Sequence, residues 1–367
     1  MTNIQLSLIN FPYHEAISMI FSDYSDEYEF TANYVFRRLV PPLNVFDMKI
    51  PFYSHGMKVS CEIVRSAIFL EKLNKYMECI LIKERIAINK FGWIRQKPDI
   101  RDYSVDRPDV ASLLVRLPVG LSPKVDLRKY CTAIVDQGNL GCCTASALAG
   151  LIGYFVKKST GKEFAASRLF TYWYTRWLEG SLAEEDTGAT IRGTMGSLAA
   201  FGTVSEKLLP YSIEAFKMEP AYRFGLMAQS FQALKYVLID QPGTPGTAVL
   251  TGIKGQLFAG MPLEFGFEVF PQFKSVGRDG LVAYPKTGDA SIGGHAVMAV
   301  GYDDTVQCPN ATTGAILCRN SWGTAWGMDG YFWLPYDYVT KPFVGVTLAA
   351  DWWALISQEW LDLGQFS

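Results

Sequence analysis

The segment with the clearest chemical potential runs from Asp136 to Ala145 and reads DQGNLGCCTA. A glycine-containing turn leads into two adjacent cysteines, Cys142 and Cys143, which open a long apolar stretch with helical spacing. A helix N-terminus favours negative charge and therefore the thiolate, the nucleophilic form of cysteine. Backbone N–H groups in the turn could bind an oxyanion. A buried structural thiol at Cys143 is an equally open interpretation of this segment alone.

A histidine that could act as a base follows later in the chain. His295 comes after two glycines and opens the apolar segment HAVMAVGY, and no other histidine follows residue 55. If a nucleophilic cysteine in this part of the chain needs an imidazole, His295 is therefore the candidate. The alternative is a structural histidine that is buried on an apolar strand.

The third element is the segment NSWGTAWG, which begins at Asn320. A side-chain amide can accept a hydrogen bond from an imidazole N–H and so fix the tautomer of the base. A neighbouring indole such as Trp322 could exclude water from that bond and strengthen it. A simple turn is the alternative interpretation, since asparagine is common in turns.

Together these segments resemble the papain-like cysteine peptidases over roughly residues 125–357. Gln137 lies six positions before Cys143, as in that family, and this spacing selects the second cysteine as the nucleophile. The chain order cysteine, histidine, asparagine also agrees. The resemblance implies a cysteine endopeptidase in which Cys143 forms a thioester acyl-enzyme and His295 is base and acid. It also implies that Asn320 orients the imidazole and that Gln137 stabilises the oxyanion.

The same resemblance implies a set of residues that would bind an extended peptide: Gly141, Gly188, Ala296 and Trp322. Gly188 lies in the segment DTGA, which is similar to the glycine-bearing wall of the family's cleft. The segments FGWIRQKPDIRDY, TGATIRGTMGSLAAFG and GGHAVMAVGYDD resemble a bacterial, xylellain-like branch. Leu140 and Thr144 depart from the family pattern, in which a disulfide cysteine and a tryptophan are common at these positions.

Two other functions remain open at this point. A papain fold can serve as a catalytically silent binding module, although such proteins usually lose the cysteine or the histidine. An acyl transferase could use the same triad with an amine in place of water. No cofactor is implied. No metal site is expected either, because the three histidines are far apart and none lies in an H-E-x-x-H motif.

The apolar patterns predict the elements that position these residues. Helices are predicted over CTASALAGLIGYFVKK, FAASRLFTYWYTRWLEG and GATIRGTMGSLAAFG. After about residue 262, strands are predicted over PLEFGFEVF, HAVMAVGYDD, GAILCRNSW, GYFWLP and GVTLAADWWALIS. Helices followed by antiparallel strands indicate an α+β fold. The resemblance implies its papain-like, two-lobed form, with a helical lobe (about 130–250) against an antiparallel β-rich lobe (about 251–357) and the cleft between them.

We interpret residues 125–367 as the peptidase domain and residues 91–124 as an extended linker. Prolines at 98, 108, 118 and 123 exclude a long helix from this linker. An extended segment directly before the domain could reach the cleft, as the pro-segment of a zymogen does.

Residues 1–90 form a region of uncertain structure. Residues 1–56 show no sustained period, whereas 57–90 have roughly helical spacing and predict one or two helices. Met77 could be the true start, in which case residues 1–76 would not belong to the functional chain.

Composition excludes several classes of protein. The 367-residue chain is 49% hydrophobic and carries a net charge of -2, which excludes intrinsic disorder and disfavours a nucleic-acid partner. It has no apolar run of about 18 residues, so no membrane partner is expected. We expect a monomer that acts on proteins or peptides. The N-terminus as written lacks a signal-peptide pattern, which indicates a cytoplasmic protein or export by a non-classical route.

Overall fold

The computed structural model describes residues 90–103, 120–228 and 233–358, together with five strands within the first 62 residues. The chain divides into two compact units, Met1–Ile80 and Leu81–Ser367. In the described part of the chain, no helix is both long enough and apolar enough to cross a membrane.

The described part of the first unit consists of short strands. They are β1 (Gln5–Leu8), β2 (Ile17–Ile20), β3 (Glu29–Ala32), β4 (Lys49–Ser54) and β5 (Met57–Glu62). β1 pairs with β2, and β5 lies between β3 and β4. The prediction of a helix was therefore wrong for Met57–Glu62, where apolar residues recur at every second position, as in a strand. Residues 63–89 lie outside the described residues.

The described part of the second unit contains six α-helices. They are α1 (Cys143–Thr160), α2 (Arg168–Leu178), α3 (Ile191–Phe201), α4 (Tyr222–Ala228), α5 (Gly246–Phe258) and α6 (Asp337–Thr340). The first three confirm the three predicted helices. Side-chain caps begin two of them, since Ser167 Oγ accepts the Phe170 N–H and Thr190 Oγ1 accepts the Gly193 N–H. α1 ends at Thr160 and is capped by Gly161, whose φ of 72° is the left-handed geometry that glycine adopts most easily.

The same unit contains an antiparallel sheet of seven strands. Its strands are β6 (Lys124–Asp126), β7 (Ala233–Leu238), β8 (Leu263–Val269), β9 (Gly293–Asp303), β10 (Ala315–Arg319), β11 (Tyr331–Pro335) and β14 (Ala349–Gln358). The order is β11-β10-β9-β8-β14-β7, and β6 pairs with β9. A hairpin of β12 (Pro342–Phe343) and β13 (Val346–Thr347) lies apart from it. The five predicted strands are confirmed, and with the helices they give the expected α+β architecture.

We expected the boundary between the lobes at about residue 250, but the sheet includes a strand that lies before this position in the sequence. β7 precedes it and yet pairs with β14, while α5 spans it and packs against β9. A strand of the sheet, β7, therefore already begins at Ala233.

The core lies between α1 and the middle of the sheet. α1 packs against β8 and β9, and most of its residues are buried. Six of the seven residues of β8 are buried, so both faces of this strand are covered although its sequence, LEFGFEV, alternates apolar residues with Glu264, Gly266 and Glu268. All five cysteines in the described part of the chain are free: Cys131, Cys142, Cys143, Cys308 and Cys318.

Candidate active site

Cys143 is the first residue of α1 and is fully buried. Its Sγ accepts a hydrogen bond of 3.4 Å from the backbone N–H of Ala296. The backbone of Gly92 lies close enough to this thiol to lower its pKa. Ala296 follows His295 in β9, so strand and helix bring the predicted nucleophile and the predicted base to one place.

His295 is held by Asn320, which directly follows β10. His295 Nε2 lies 2.8 Å from Asn320 Oδ1, and the same oxygen accepts the backbone N–H of Ser321 at 2.8 Å. With Oδ1 as acceptor, the imidazole must carry a proton on Nε2. The other nitrogen, Nδ1, is buried and has no hydrogen-bond partner among the residues that the structure describes. Nδ1 is therefore the nitrogen left free to exchange a proton with a thiol.

Aromatic rings enclose the His295–Asn320 bond. The Trp322 ring lies 5.0 Å from the imidazole, centroid to centroid, at an angle of 35°. Phe267 and Phe273 lie 6.0 and 6.2 Å away. This shell keeps water from the bond and lowers the local dielectric, which strengthens it. Trp322 is thus packed on the base, and its contact with substrate stays a prediction.

Gln137 lies in the loop before α1 and is fully buried. Its Oε1 accepts a 2.5 Å hydrogen bond from Ser321 Oγ, which fixes the direction of the amide. Its Nε2 donates to the carbonyl of Leu140 at 2.9 Å and to the carbonyl of Lys90 at 3.1 Å. The predicted oxyanion donor therefore already binds a carbonyl from the segment that precedes the domain.

That segment runs between the walls of the site. The Trp93 N–H donates to the carbonyl of Gly294 at 3.0 Å on one side. On the other side, the Ala189 N–H donates to the carbonyl of Gly92 at 2.8 Å, and the Ile94 N–H donates to the carbonyl of Ala189 at 3.0 Å. The centroid of the Phe91 ring lies 6.1 Å from the centroid of the His295 ring. We name residues 90–94 the cleft segment.

Two predicted substrate-binding glycines lie along the cleft segment. Gly188 has a φ of 76°, and a Cβ there would lie 2.4 Å from the carbonyl oxygen of Gly92. Only glycine allows the chain to approach so closely. The Gly141 N–H donates to the Asp186 carboxylate, which also receives Lys90 Nζ at 2.7 Å and the hydroxyl of Tyr172.

Burial reverses the charge state that the helix N-terminus alone would favour. Desolvation raises the pKa of the Cys143 thiol to about 12 and lowers the pKa of the His295 imidazole to about 4. Both groups are therefore neutral near pH 7 while the cleft segment is in place.

Sequence reasoning missed three residues that support this site. Asp186 and Ser321 lie inside the DTGA and NSWG segments that the sequence analysis singled out. Their hydrogen bonds to Gly141 and Gln137 were not predicted. Asp351, in β14, is buried and accepts a hydrogen bond from Trp93 Nε1 at 2.9 Å. No local sequence pattern marks Asp351.

Comparisons with known proteins bear on the family and the fold. The family described as papain family cysteine protease matches residues 199–341. A peptidase C1-like protein of Acanthamoeba polyphaga mimivirus is 35% identical over 281 residues, which cover 72% of this chain and 86% of the relative. The chain belongs to the papain family of cysteine peptidases. It is accordingly a hydrolase that acts on proteins or peptides.

This papain-family peptidase is similar in structure to a bacterial cysteine protease. Xylellain, a cysteine protease from Xylella fastidiosa, is 32% identical, with a TM-score of 0.59 over 73% of this chain and 96% of that one. The similarity confirms the predicted xylellain-like resemblance. Procathepsin B S9 from Trypanosoma congolense is 15% identical, with a TM-score of 0.51 over 80% of this chain and 99% of that one. That likeness shows the fold alone.

Proposed function

We propose that the chain is a latent endopeptidase whose nucleophile is Cys143 and whose cleft segment must leave before substrate binds. The observation that carries this proposal is the His295–Asn320 hydrogen bond of 2.8 Å, with Cys143 Sγ bonded to the residue after His295. This arrangement orients an imidazole next to a thiol, which is what a cysteine nucleophile requires.

In the proposed reaction, Cys143 Sγ attacks the scissile carbonyl carbon and the S–C bond forms. The proton of the thiol passes to His295 and then to the leaving amine as the C–N bond breaks. Water then attacks the resulting thioester and His295 accepts a proton from the water. The S–C bond breaks, the carboxylic acid leaves, and the proton returns to Cys143 Sγ. The Gln137 amide and the Cys143 N–H stabilise the oxyanion of each tetrahedral intermediate, an effect worth about 3 kcal/mol per donor.

Latency rests on the contacts of the cleft segment. Lys90 O occupies the Gln137 donor, Gly92 contacts the thiol, and Phe91 covers His295. A peptide substrate needs the same donors and the same space. The linker proposed from the sequence as 91–124 would thus inhibit through its first residues together with Lys90.

The alternatives are less well supported. A silent binding module has no need of four intact and mutually oriented catalytic positions. Transfer to an amine would differ from hydrolysis only in the acceptor, so peptide assays with and without an added amine separate the two. Since all four residues come from one chain, a monomer suffices for activity.

Labelling with an epoxide that alkylates papain-like thiols tests the proposal. In the full-length chain, peptide mapping should place the label on Cys143, slowly at first and faster once the cleft segment is displaced. Cys142 should stay unlabelled, since it is buried beside the Tyr211 hydroxyl, 3.2 Å from its Sγ. A label on Cys142, or none on Cys143 after displacement, would contradict the assignment.

A further inference from the structure

The backbone of Gln137 is held at both of its polar groups. Its N–H donates to the carbonyl of Ser321 at 2.9 Å, and its carbonyl accepts the hydroxyl of Tyr211 at 2.7 Å. All five cysteines in the described part of the chain are free, so no disulfide between them fixes the loop that carries Gln137. The position of this loop therefore depends on non-covalent contacts such as these two.

Arg168, the first residue of α2, fixes the ring of Tyr211. Its guanidinium carbon lies 3.7 Å from the centroid of that ring, which is a cation–π contact. Arg168 Nε and Nη2 donate to the two carboxylate oxygens of Glu206 at 2.9 and 2.8 Å, a bidentate pair that fixes the plane of the guanidinium. Arg168 Nη1 donates to the carbonyl of Asp136 at 2.9 Å. Arg168 thus binds the residue before Gln137 and supports the phenol that binds Gln137.

The hydrogen bonds at the Tyr211 hydroxyl have a fixed direction because it carries a single proton. This proton goes to the carbonyl of Gln137, so the hydroxyl oxygen can only accept from Cys142, whose Sγ lies 3.2 Å away. A thiol is a weak donor. The bond from Tyr211 to Gln137 is therefore the stronger of the two and contributes most to holding the loop.

The amide of Gln137 and the thiol of Cys143 are positioned by different contacts. Ser321 Oγ holds the amide oxygen of Gln137 at 2.5 Å, while Tyr211 holds the carbonyl end of the same residue. Cys143 begins α1, and its Sγ accepts the N–H of Ala296. A donor stabilises an oxyanion over a narrow range of about 2.7–3.1 Å. A small shift of the loop would therefore weaken the stabilisation of the oxyanion without displacing the nucleophile.

We propose that Tyr211, held by Arg168, is a positioning residue that sets the Gln137 amide at the distance the oxyanion needs. Tyr211 acts through Gln137 and contacts neither the substrate nor the reacting atoms. This inference rests on the proposed function, because the oxyanion forms when Cys143 attacks a peptide carbonyl.

The test measures peptide hydrolysis by Tyr211→Phe in the full-length chain opened by Gly92→Val, a substitution that collides with the backbone of Gly141. Phenylalanine keeps a ring over Arg168 and removes only the hydroxyl. Loss of a whole oxyanion donor costs about 100- to 1,000-fold in kcat, so a displaced donor should cost about tenfold. KM should not change, because the oxyanion exists only beyond the ground state. An unchanged kcat would overturn the proposal.

The matched control is Tyr174→Phe, which also removes a phenol hydroxyl. Tyr174 belongs to α2, the helix of Arg168, and its ring stacks on Phe201. This variant should keep kcat and KM. A loss equal to that of Tyr211→Phe would show that packing around α2 causes both effects, and would overturn the proposal.

A double-mutant cycle separates positioning of Gln137 from a general structural role. In a Gln137→Ala background, Tyr211→Phe should change kcat by less than about twofold, since an effect transmitted through one residue disappears when that side chain is removed. Alkylation of Cys143 by a neutral alkyl epoxide forms no tetrahedral carbonyl adduct, so Tyr211→Phe should leave its rate unchanged. A tenfold loss in both backgrounds, or a matching loss of alkylation, would overturn the proposal.

Binding of a peptide aldehyde reports on the same amide without hydrolysis. The Cys143 thiol adds across the aldehyde: the S–C bond forms, the C=O double bond becomes single, and the thiol proton ends on the hemithioacetal oxygen. Tyr211→Phe should raise the dissociation constant of the aldehyde by about tenfold. If the opened parent chain cleaves no peptide but binds the aldehyde, the proposed function fails, and this ratio still decides the positioning role. An unchanged ratio would overturn it.

Discussion

Gln137 Nε2 donates a 3.1 Å hydrogen bond to the carbonyl oxygen of Lys90. The amide that the reaction would use on an oxyanion is thus satisfied by a backbone carbonyl in the resting chain. Lys90 is also tied to Asp186, which binds the N–H of Gly141 at the turn before the nucleophile. The cleft segment therefore binds the donors and walls of the site as well as covering it, which is why we propose that its release precedes catalysis.

A single substitution in the segment should release it. A Cβ at Gly92 would lie 1.8 Å from the carbonyl oxygen of Gly141, a backbone atom that cannot move aside. Overpacking of this kind costs about 1–3 kcal/mol, which corresponds to roughly 5- to 150-fold in the open population. Gly92→Val in the full-length chain should therefore raise both the epoxide labelling rate of Cys143 and peptide hydrolysis.

Ile100→Ala is the matched control for Gly92→Val, because Ile100 belongs to the same stretch and is fully exposed. It should leave both rates unchanged. If Gly92→Val leaves Cys143 as unreactive as in the wild-type chain, the cleft segment is not what limits access.

The two adjacent cysteines should differ completely in their importance. Cys143 Sγ accepts the N–H of Ala296, the residue after His295, whereas Cys142 belongs to a separate apolar cluster and its Sγ contacts Ser146 and Tyr211. In the Gly92→Val background, Cys143→Ala should reduce kcat by about 10⁴-fold or more, since a lost nucleophile disables the whole catalytic unit. Cys142→Ala should keep most of the activity. Equal losses in steady-state kinetics would refute the assignment.

The candidate catalytic residues could be named from the sequence because each lies in a short, chemically distinctive segment, such as the one that holds Gln137 and Cys143 six positions apart. The helix after Cys143 and the strand after His295 each follow from a regular apolar period, so the sequence also predicts what positions them. The charge state was not predictable, since the helix N-terminus at Cys143 favours a thiolate while burial of the thiol raises its pKa to about 12. The Trp93–Asp351 pair joins residues 258 positions apart, and only the sheet order brings them together.

Stability should depend on pH through Asp240. Burial, and secondarily the charge of Asp351, raise the pKa of Asp240 to about 7. Between about pH 4 and pH 7 the folded state keeps a proton on Asp240 that the unfolded state has lost. The contribution of this proton to the free energy of unfolding is therefore complete at low pH and disappears as the pH rises. His295 acts oppositely: its folded pKa of about 4 makes the unfolded state bind more protons up to about pH 6.5, so its contribution rises with pH.

Asp240→Asn removes the contribution to stability that falls as the pH rises and leaves the contribution of His295 in place. Relative to the wild-type chain, its free energy of unfolding should therefore increase as the pH rises from about 4 to about 7, whatever the constant offset from the changed hydrogen bonds. Urea titrations at several pH values measure the difference. Asp329→Asn, an exposed carboxylate in an ion pair with Arg278, is the control and should give a curve parallel to the wild type. A parallel curve for Asp240→Asn as well would show that its proton affinity does not change on folding.

The last prediction concerns the part of the chain that precedes the domain. The boundary between the two compact units lies at Ile80, close to Met77, so a chain that starts at Met77 retains the second unit and every catalytic motif. We expect this shortened chain to be soluble and to label at Cys143 as slowly as the full-length chain. Aggregation on expression would instead show that the first unit is needed for folding.

A chain that starts at Val125 should behave differently. It loses the Trp93–Asp351 bond, the 3.1 Å bond between Trp353 Nε1 and Gln96 Oε1, and the ion pair of Arg192 with Asp102. Its melting temperature should therefore fall below that of the chain from Met77, because buried partners such as Asp351 are left unpaired. Its Cys143 should nevertheless react faster, since the thiol is uncovered. A Val125 chain that folds but labels no faster than the Met77 chain would mean that residues 90–103 stabilise the domain without inhibiting it.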